Sequence, residues 1–366
     1  MSLRLSSRML VGASALLALP AAMAAERVQV VTSFSILGDM VENVGGEHVD
    51  VTSLVGPDGD SHVYSPRPSD ARALAEADLV VFNGLLFEGW MERLIDSSDY
   101  RGSLVTATDG IDKIDYQPHD HGHGHDHDHE HGHNHDHDHD HDHDHDHDHD
   151  HGHDHDHGHD HVHGEFDPHA WQDMTQARVY VTNIRDGLIA ADEANADEYQ
   201  ANADRYLAEM AETDAEIREL ISEIPASTSV ITGHDSFGYF SNAYGIQFLS
   251  PAGLSTEVEP SGASMAELVD VINDQNVQAL FHENMTNPAV IQQLSEETGL
   301  PIAGTLYADA LSSEGEASTY LGMMRHNARV LHDSLAEPGH DDHAPSHGHD
   351  HDHDHDHDHD HSEHTH

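Results

Sequence analysis

The chain has 366 residues, a formal net charge of -56 at pH 7, 42 histidines and no cysteine. So acidic a surface repels nucleic acid and anionic lipid and attracts cations. Without cysteine there can be no disulfide, and any zinc site must be built from histidine and carboxylate. Setting aside the leader and two His-rich tracts leaves roughly 270 residues, enough for two lobes of ordinary domain size, each with its own core.

Residues 1–24 read as a signal peptide. Arg4 and Arg8 precede a short apolar run, and Ala22-Met23-Ala24 supplies a small-x-small cleavage pattern. The run is too short to span a bilayer, and no cysteine follows it to carry a lipid. A soluble, periplasmic protein with no direct membrane anchor is expected. Residues 27–32 predict a buried parallel strand, and 34–44 a helix that stops at Gly45-Gly46. A second strand is predicted at 48–55. A Pro/Gly-rich loop with a lone histidine, His62, follows and opens a helix capped near Ser69 or Asp70. Strands at 78–83 and 104–105 flank a short helix at 89–95. This alternation predicts an open parallel sheet covered on both faces, with ligands at the carboxyl ends of its strands.

The chain then enters a tract in which every odd-numbered residue from His119 to His163 is histidine, among mostly Asp neighbours. It includes His121, His123, His125, His127 and His129 near its start and His159 and His161 near its end. Such a composition cannot bury apolar surface, so the tract is expected to be disordered. At pH near 7 most of its imidazoles are neutral, since the free pKa is about 6.5. Many overlapping two- or three-histidine sites should then bind zinc weakly and exchange it quickly. The tail, residues 338–366, repeats the composition.

After Trp171, helices are expected at 175–189 and about 192–224, the second spanning roughly 30 residues, or about 45 Å at 1.5 Å per residue. Pro225 stops it. Strands at 229–232, 246–249, 277–281 and 301–306 then alternate with helices at 264–275, 287–298 and 319–335, and residues 233–240 begin a further helix. The expected fold class is α/β, with two lobes, each a parallel sheet flanked by helices, joined by one long rigid helix. The lobes would comprise residues 27–191, with the tract inserted, and 228–335, with 192–224 between them.

Seven histidines lie outside the tracts. Three of them, His62, His169 and His234, follow a strand or sit in a tight loop before a helix. Asp309 holds the equivalent place after the last strand. Three imidazoles and a carboxylate suit a tetrahedral zinc ion without thiolate, although a loop histidine is more often not a ligand. Glu283 reads as a buried hydrogen-bonding residue, Trp171 as core beside His169, and His48, His282, His326 and His332 as structural or surface residues.

The segments 58–70 (Asp-Gly-Asp-Ser-His62-Val-Tyr-Ser-Pro-Arg-Pro-Ser-Asp), 167–171 (Asp-Pro-His169-Ala-Trp), 233–240 (Gly-His234-Asp-Ser-Phe-Gly-Tyr-Phe) and 309–311 (Asp309-Ala-Leu) resemble, in order, the four ligand motifs of the cluster A-I metal-binding receptors of bacterial ABC importers. The residues around Ser255–Pro260 and Phe281-His-Glu283 are similar to that family's downstream core. The resemblance implies two α/β lobes joined by a long helix, with metal held between them. Histidine at the third position and a His/Asp-rich loop before the second ligand resemble the zinc branch, the ZnuA type; manganese members typically carry Glu there. The family pattern leaves Asp309, Asp60 or water as the fourth ligand. The implied function is a monomeric, non-enzymatic Zn2+ receptor that delivers its cargo to an inner-membrane ABC permease and its ATPase, with the His-rich tract collecting zinc. A buffer or store for zinc, nickel or manganese is the alternative. A zinc hydrolase is disfavoured by four protein ligands and the lack of a His-Glu-x-x-His helix.

Overall fold

The computed structural model describes residues 27–116 and 166–336; the leader, the His-rich tract and the tail lie outside the described residues. Two four-stranded parallel sheets make the frame. In the first, β1 (Val28–Phe34), β2 (Val49–Val55), β3 (Leu79–Phe82) and β4 (Ser103–Thr106) are ordered β2-β1-β3-β4. In the second, β5 (Ser229–Ile231), β6 (Gln247–Leu249), β7 (Val277–Glu283) and β8 (Ile302–Leu306) are ordered β6-β5-β7-β8. Each sheet therefore has the same order, with its first and third strands at the centre. Burial follows position: central β1 is buried at every residue but Gln29, and edge β2 is only partly covered.

The helices are α1 (Ser35–Gly45), α2 (Pro68–Glu76), α3 (Met91–Ser98), α4 (Met174–Ala191), α5 (Ala196–Ser222), α6 (Gly238–Tyr244), α7 (Gly262–Asp274), α8 (Pro288–Thr298) and α9 (Tyr320–Leu335). The linking helix α5 has 27 residues, about 40 Å at 1.5 Å per residue. It buries Tyr199, Ala203, Tyr206, Met210, Ile217 and Ile221 along one stripe, the three-to-four-residue spacing of a helix face. It is shorter than 192–224 because residues 193–195 form a separate 3-10 turn and the helix ends at Ser222.

Three other local expectations are corrected. Helix α2 starts at Pro68 because the Asp70 carboxylate reaches back to the Arg67 N–H (2.6 Å), which makes Asp70 a first-turn residue rather than the cap. Residues 233–237 are not helical; α6 begins only at Gly238. Strand β7 runs on to Glu283, so His282 and Glu283 belong to the sheet.

The two lobes do not each have a separate core. One apolar cluster runs from β1 and α1 through Trp171, α4 and α5 to Phe240, Phe281, Leu306 and α9. A smaller cluster (Ile231, Leu249, Met265, Leu268, Ile272, Leu280, Ile291, Leu294) covers the remaining face of the second sheet. The core is shared because α5 packs against α1, α4 and α9 together. Asp39 of α1 marks the junction, accepting from Tyr320 N at the start of α9 (3.0 Å) and Tyr206 Oη of α5 (3.3 Å). The carboxyl ends of both sheets carry the loops that matter below. An isolated antiparallel bridge between Asp115 and Phe166 brings together the two ends of the described chain that flank the His-rich tract.

Candidate metal centre

Four residues expected from sequence converge. His62 lies seven residues past the end of β2, His169 on the turn before α4, His234 three residues past β5, and Asp309 three residues past β8. One donor atom from each lies within 4.8 Å of the others. Asp309 Oδ2 is 3.0 Å from His234 Nε2 and 3.2 Å from His62 Nε2, and Asp309 Oδ1 is 3.7 Å from His169 Nε2. The donors of a tetrahedral zinc with bonds of about 2.05 Å would lie about 3.3 Å apart, and the three carboxylate-to-imidazole distances lie near that value. All four residues are buried. His62 Nε2, His169 Nε2 and Asp309 Oδ1 nevertheless have no hydrogen-bond partner. Buried polar atoms are nearly always satisfied, so three orphaned atoms facing one point are what a cation site requires.

The rings are held from behind. Asp167 Oδ1 accepts from both His169 N (2.9 Å) and His169 Nδ1 (2.8 Å). Glu283 Oε2 does the same for His234 N (3.1 Å) and Nδ1 (3.0 Å), while its Oε1 accepts from Ser236 Oγ (3.0 Å). In a neutral ring such a carboxylate keeps the proton on Nδ1, which makes Nε2 the nitrogen able to bind metal. Two glycines of the third motif leave room for these carboxylates. A Cβ on Gly233 would come 2.6 Å from Glu283 Oε2, and one on Gly238 2.4 Å from Asp167 Oδ2.

Phe87 closes the first-lobe side, its ring 4.9 Å from His62 and 5.8 Å from His169. Its turn holds Gly84, Leu85 and Leu86 at positive φ, which is unfavourable for the two leucines. The buried Glu88 carboxylate over-determines the turn, accepting from Asn83 N (2.7 Å), Gly84 N (3.2 Å) and Ser33 Oγ (2.5 Å). Burial raises the Glu88 pKa against the pull of those donors. On the other side, Trp171 Nε1 (2.8 Å) and Gln172 Nε2 (3.0 Å) both donate to Ala308 O, the carbonyl just before Asp309.

The buried groups shift one another's protonation. Burial pushes the His62 imidazole below its usual pKa, against the pull of Asp309. Burial also works against a charged His234, but Glu283 and Asp309 on either side outweigh it and hold its pKa well above the ordinary value. For Asp309, burial favours the neutral acid, but His234, His169 and His62 hold the carboxyl well below its usual range.

Asp60 does not join the donors. Its Oδ1 accepts from His62 N (2.9 Å) and its Oδ2 from Thr256 Oγ1 (2.6 Å), so both oxygens are engaged elsewhere. Glu283 and Trp171 occupy the roles read from sequence. His326 bonds the Thr305 carbonyl, and His332 and His48 pair with Glu223 and Glu198 near the surface. The tract histidines, His119 to His163, lie outside the described residues. Reasoning from sequence missed the parts played by Asp167, Phe87 and Glu88. Asp167 had a signal, a carboxylate two residues before the ligand, as at Asp60; Phe87 and Glu88 had none, because their roles depend on a turn that only the fold creates.

The family model described as zinc-uptake complex component A, periplasmic, matches residues 30–334. The manganese-binding lipoprotein MntA of Halalkalibacterium halodurans is 30% identical over 315 residues, covering 85% of this chain and 90% of its own. The Mn-bound periplasmic metal binding protein of Candidatus Liberibacter asiaticus superposes with a TM-score of 0.66 at 26% identity, over 84% of this chain and all of its own. The periplasmic zinc binding protein TroA of Treponema pallidum shares the fold, with a TM-score of 0.70 at 24% identity over 85% of this chain and all of its own.

Proposed function

This chain belongs to the zinc-uptake complex component A family of periplasmic metal-binding receptors of ABC importers, and from that premise we propose that its cargo is Zn2+, held between the lobes by His62, His169, His234 and Asp309 and delivered to an inner-membrane permease and its ATPase. The observation that carries this reading is the buried convergence of three imidazoles and one carboxylate with three unpartnered donor atoms. Imidazole is a borderline-soft ligand that suits zinc better than manganese, which favours an all-oxygen shell. A zinc ion would supply the positive charge that Asp309 and the inward lone pairs lack. The family is one of receptors rather than enzymes, and four protein donors would leave no open coordination position for a reacting water.

The lobes would be residues 27–191 and 228–335 about the linking segment 192–224. The His-rich tract would collect zinc and raise its supply to the fixed site, and the receptor would act as a monomer. Among the described residues no helix is long and apolar enough to cross a membrane. Relatives such as MntA are named as lipoproteins, whereas this chain has no cysteine to carry a lipid, which favours a free periplasmic receptor released from its signal peptide.

A manganese receptor is the second reading, favoured by the name of the 30% identical MntA. Metal stoichiometry by ICP-MS, with zinc and manganese competing, tests both on the mature protein and on a variant lacking both tracts. One tight zinc should survive in the variant and be lost on His234→Ala. Preferential retention of manganese would favour the second reading. No tight metal without the tracts would make the protein a buffer or store.

A further inference from the structure

We infer that Asp58 and Asp60 are positioning residues that tie the His62 loop to the opposite lobe and thereby set how long a bound metal stays; this rests on the receptor reading above. Residues 56–62 leave the first sheet at the end of β2, yet most of the side-chain bonds from this loop run to the second lobe. Asp58 N donates to Leu311 O (2.8 Å). The Asp58 carboxylate accepts from Asn284 Nδ2 at one oxygen (3.1 Å) and from Ser313 N at the other (3.1 Å). Asp60 bridges directly from the ligand to the other lobe: one oxygen takes His62 N, the other Thr256 Oγ1.

The anchors are the segments that carry the remaining second-lobe donors. Asn284 follows Glu283, which orients His234, and its Nδ2 also reaches Ala310 O (3.2 Å), next to Asp309. Leu311 and Ser313 lie just past Asp309. The His62 loop is thus bonded to the frame of His234 and Asp309 independently of any metal. Asp58 holds a φ of 57°, a left-handed conformation disfavoured for a residue with a Cβ and maintained here by three bonds to the opposite lobe. The donors are buried, so metal enters and leaves by separation of His62 from the second-lobe donors, and these bonds, present without metal, break on both paths. Their loss should therefore accelerate dissociation and association alike and leave the affinity little changed.

The test uses the full-length mature protein loaded with Zn2+ and mixed with excess EDTA in a stopped-flow instrument, followed by tryptophan fluorescence. The chain has only two tryptophans; Trp171 packs 5.3 Å from the His169 ring and Trp90 Nε1 donates to Ser61 O, beside His62, so the signal reports the fixed site rather than the tracts. Asp58→Gly keeps the left-handed backbone and removes both carboxylate bonds; Thr256→Val keeps the side-chain shape and removes the hydroxyl. The double variant should release zinc about tenfold faster, as expected for losing a few partly exposed hydrogen bonds, with association accelerated to a similar degree. Thr256→Val alone, which removes one hydroxyl and should not impair folding, should release zinc about threefold faster. Unchanged dissociation in variants that still bind one zinc overturns the inference, as does slowed association, which would mark a distorted site. Wild-type protein without any tight metal would overturn the receptor reading itself, and that outcome is distinct from both.

Discussion

A carboxylate two residues before a histidine does different work at the two first-lobe donors. In Asp167-Pro-His169 it grips both the backbone N–H and the ring; in Asp60-Ser-His62 it grips the backbone and turns its second oxygen to Thr256. His234 obtains the same support from Glu283, 49 residues away in sequence. Such partners fix the tautomer and orientation of a ligand, and their loss typically costs 10–100-fold in metal affinity. Glu283→Gln keeps the volume but weakens acceptance from Nδ1. It should lower zinc affinity by about 10–100-fold while the protein stays folded, measured by chelator competition alongside circular dichroism.

At the scale of elements, the turn after His169 clasps the strand-end loop that carries Asp309. Ala308 O receives two buried donors, Trp171 Nε1 and Gln172 Nε2. Trp171→Phe removes one donor and part of a fully buried side chain. It should destabilise the protein by about 1–3 kcal/mol in urea denaturation, and it should weaken metal binding less than Glu283→Gln does. The α1–α5–α9 junction has a pH signature. Burial raises the Asp39 pKa to about 6, against the pull of the Tyr320 N–H and Tyr206 hydroxyl. Between about pH 4 and 6 the folded state then binds more protons than the unfolded chain, so this residue's contribution to stability falls as pH rises through that window. Asp39→Asn should remove that slope. Urea denaturation at pH 4.5 and 7 should find the variant gaining on the wild type at the higher pH, by on the order of 1–3 kcal/mol.

At the scale of the molecule, a cluster whose donors come from both lobes should make metal a stabiliser of their association. Zinc at about 100 times its dissociation constant should add about 2.7 kcal/mol, seen as a higher Tm in calorimetry that EDTA reverses and that His234→Ala abolishes. The shared core is consistent with this coupling, since the apolar cluster is continuous from α1 through α5 to α9.

Strand–helix alternation, the long helix, the low-complexity tracts and the four isolated residues that converge were legible along the chain, because each rests on local periodicity, composition or a motif of a few residues. The ends of elements were less so. Residues 233–237 look helical in isolation, but His234 N and Ser236 Oγ are claimed by Glu283, and the helix waits for Gly238. Asp60 and Asp309 were equally eligible as the fourth donor by residue type. Only the fold separates them, by engaging both Asp60 oxygens and leaving an Asp309 oxygen unpartnered in a buried pocket. The sequence by itself therefore determined the architecture and the chemistry on offer, which are properties of neighbours along the chain. Tertiary structure alone decided which carboxylate faces the imidazoles, which groups stand behind them and how the lobes share one core, because those depend on hydrogen bonds and burial between residues as much as 281 positions apart, as between Asp39 and Tyr320.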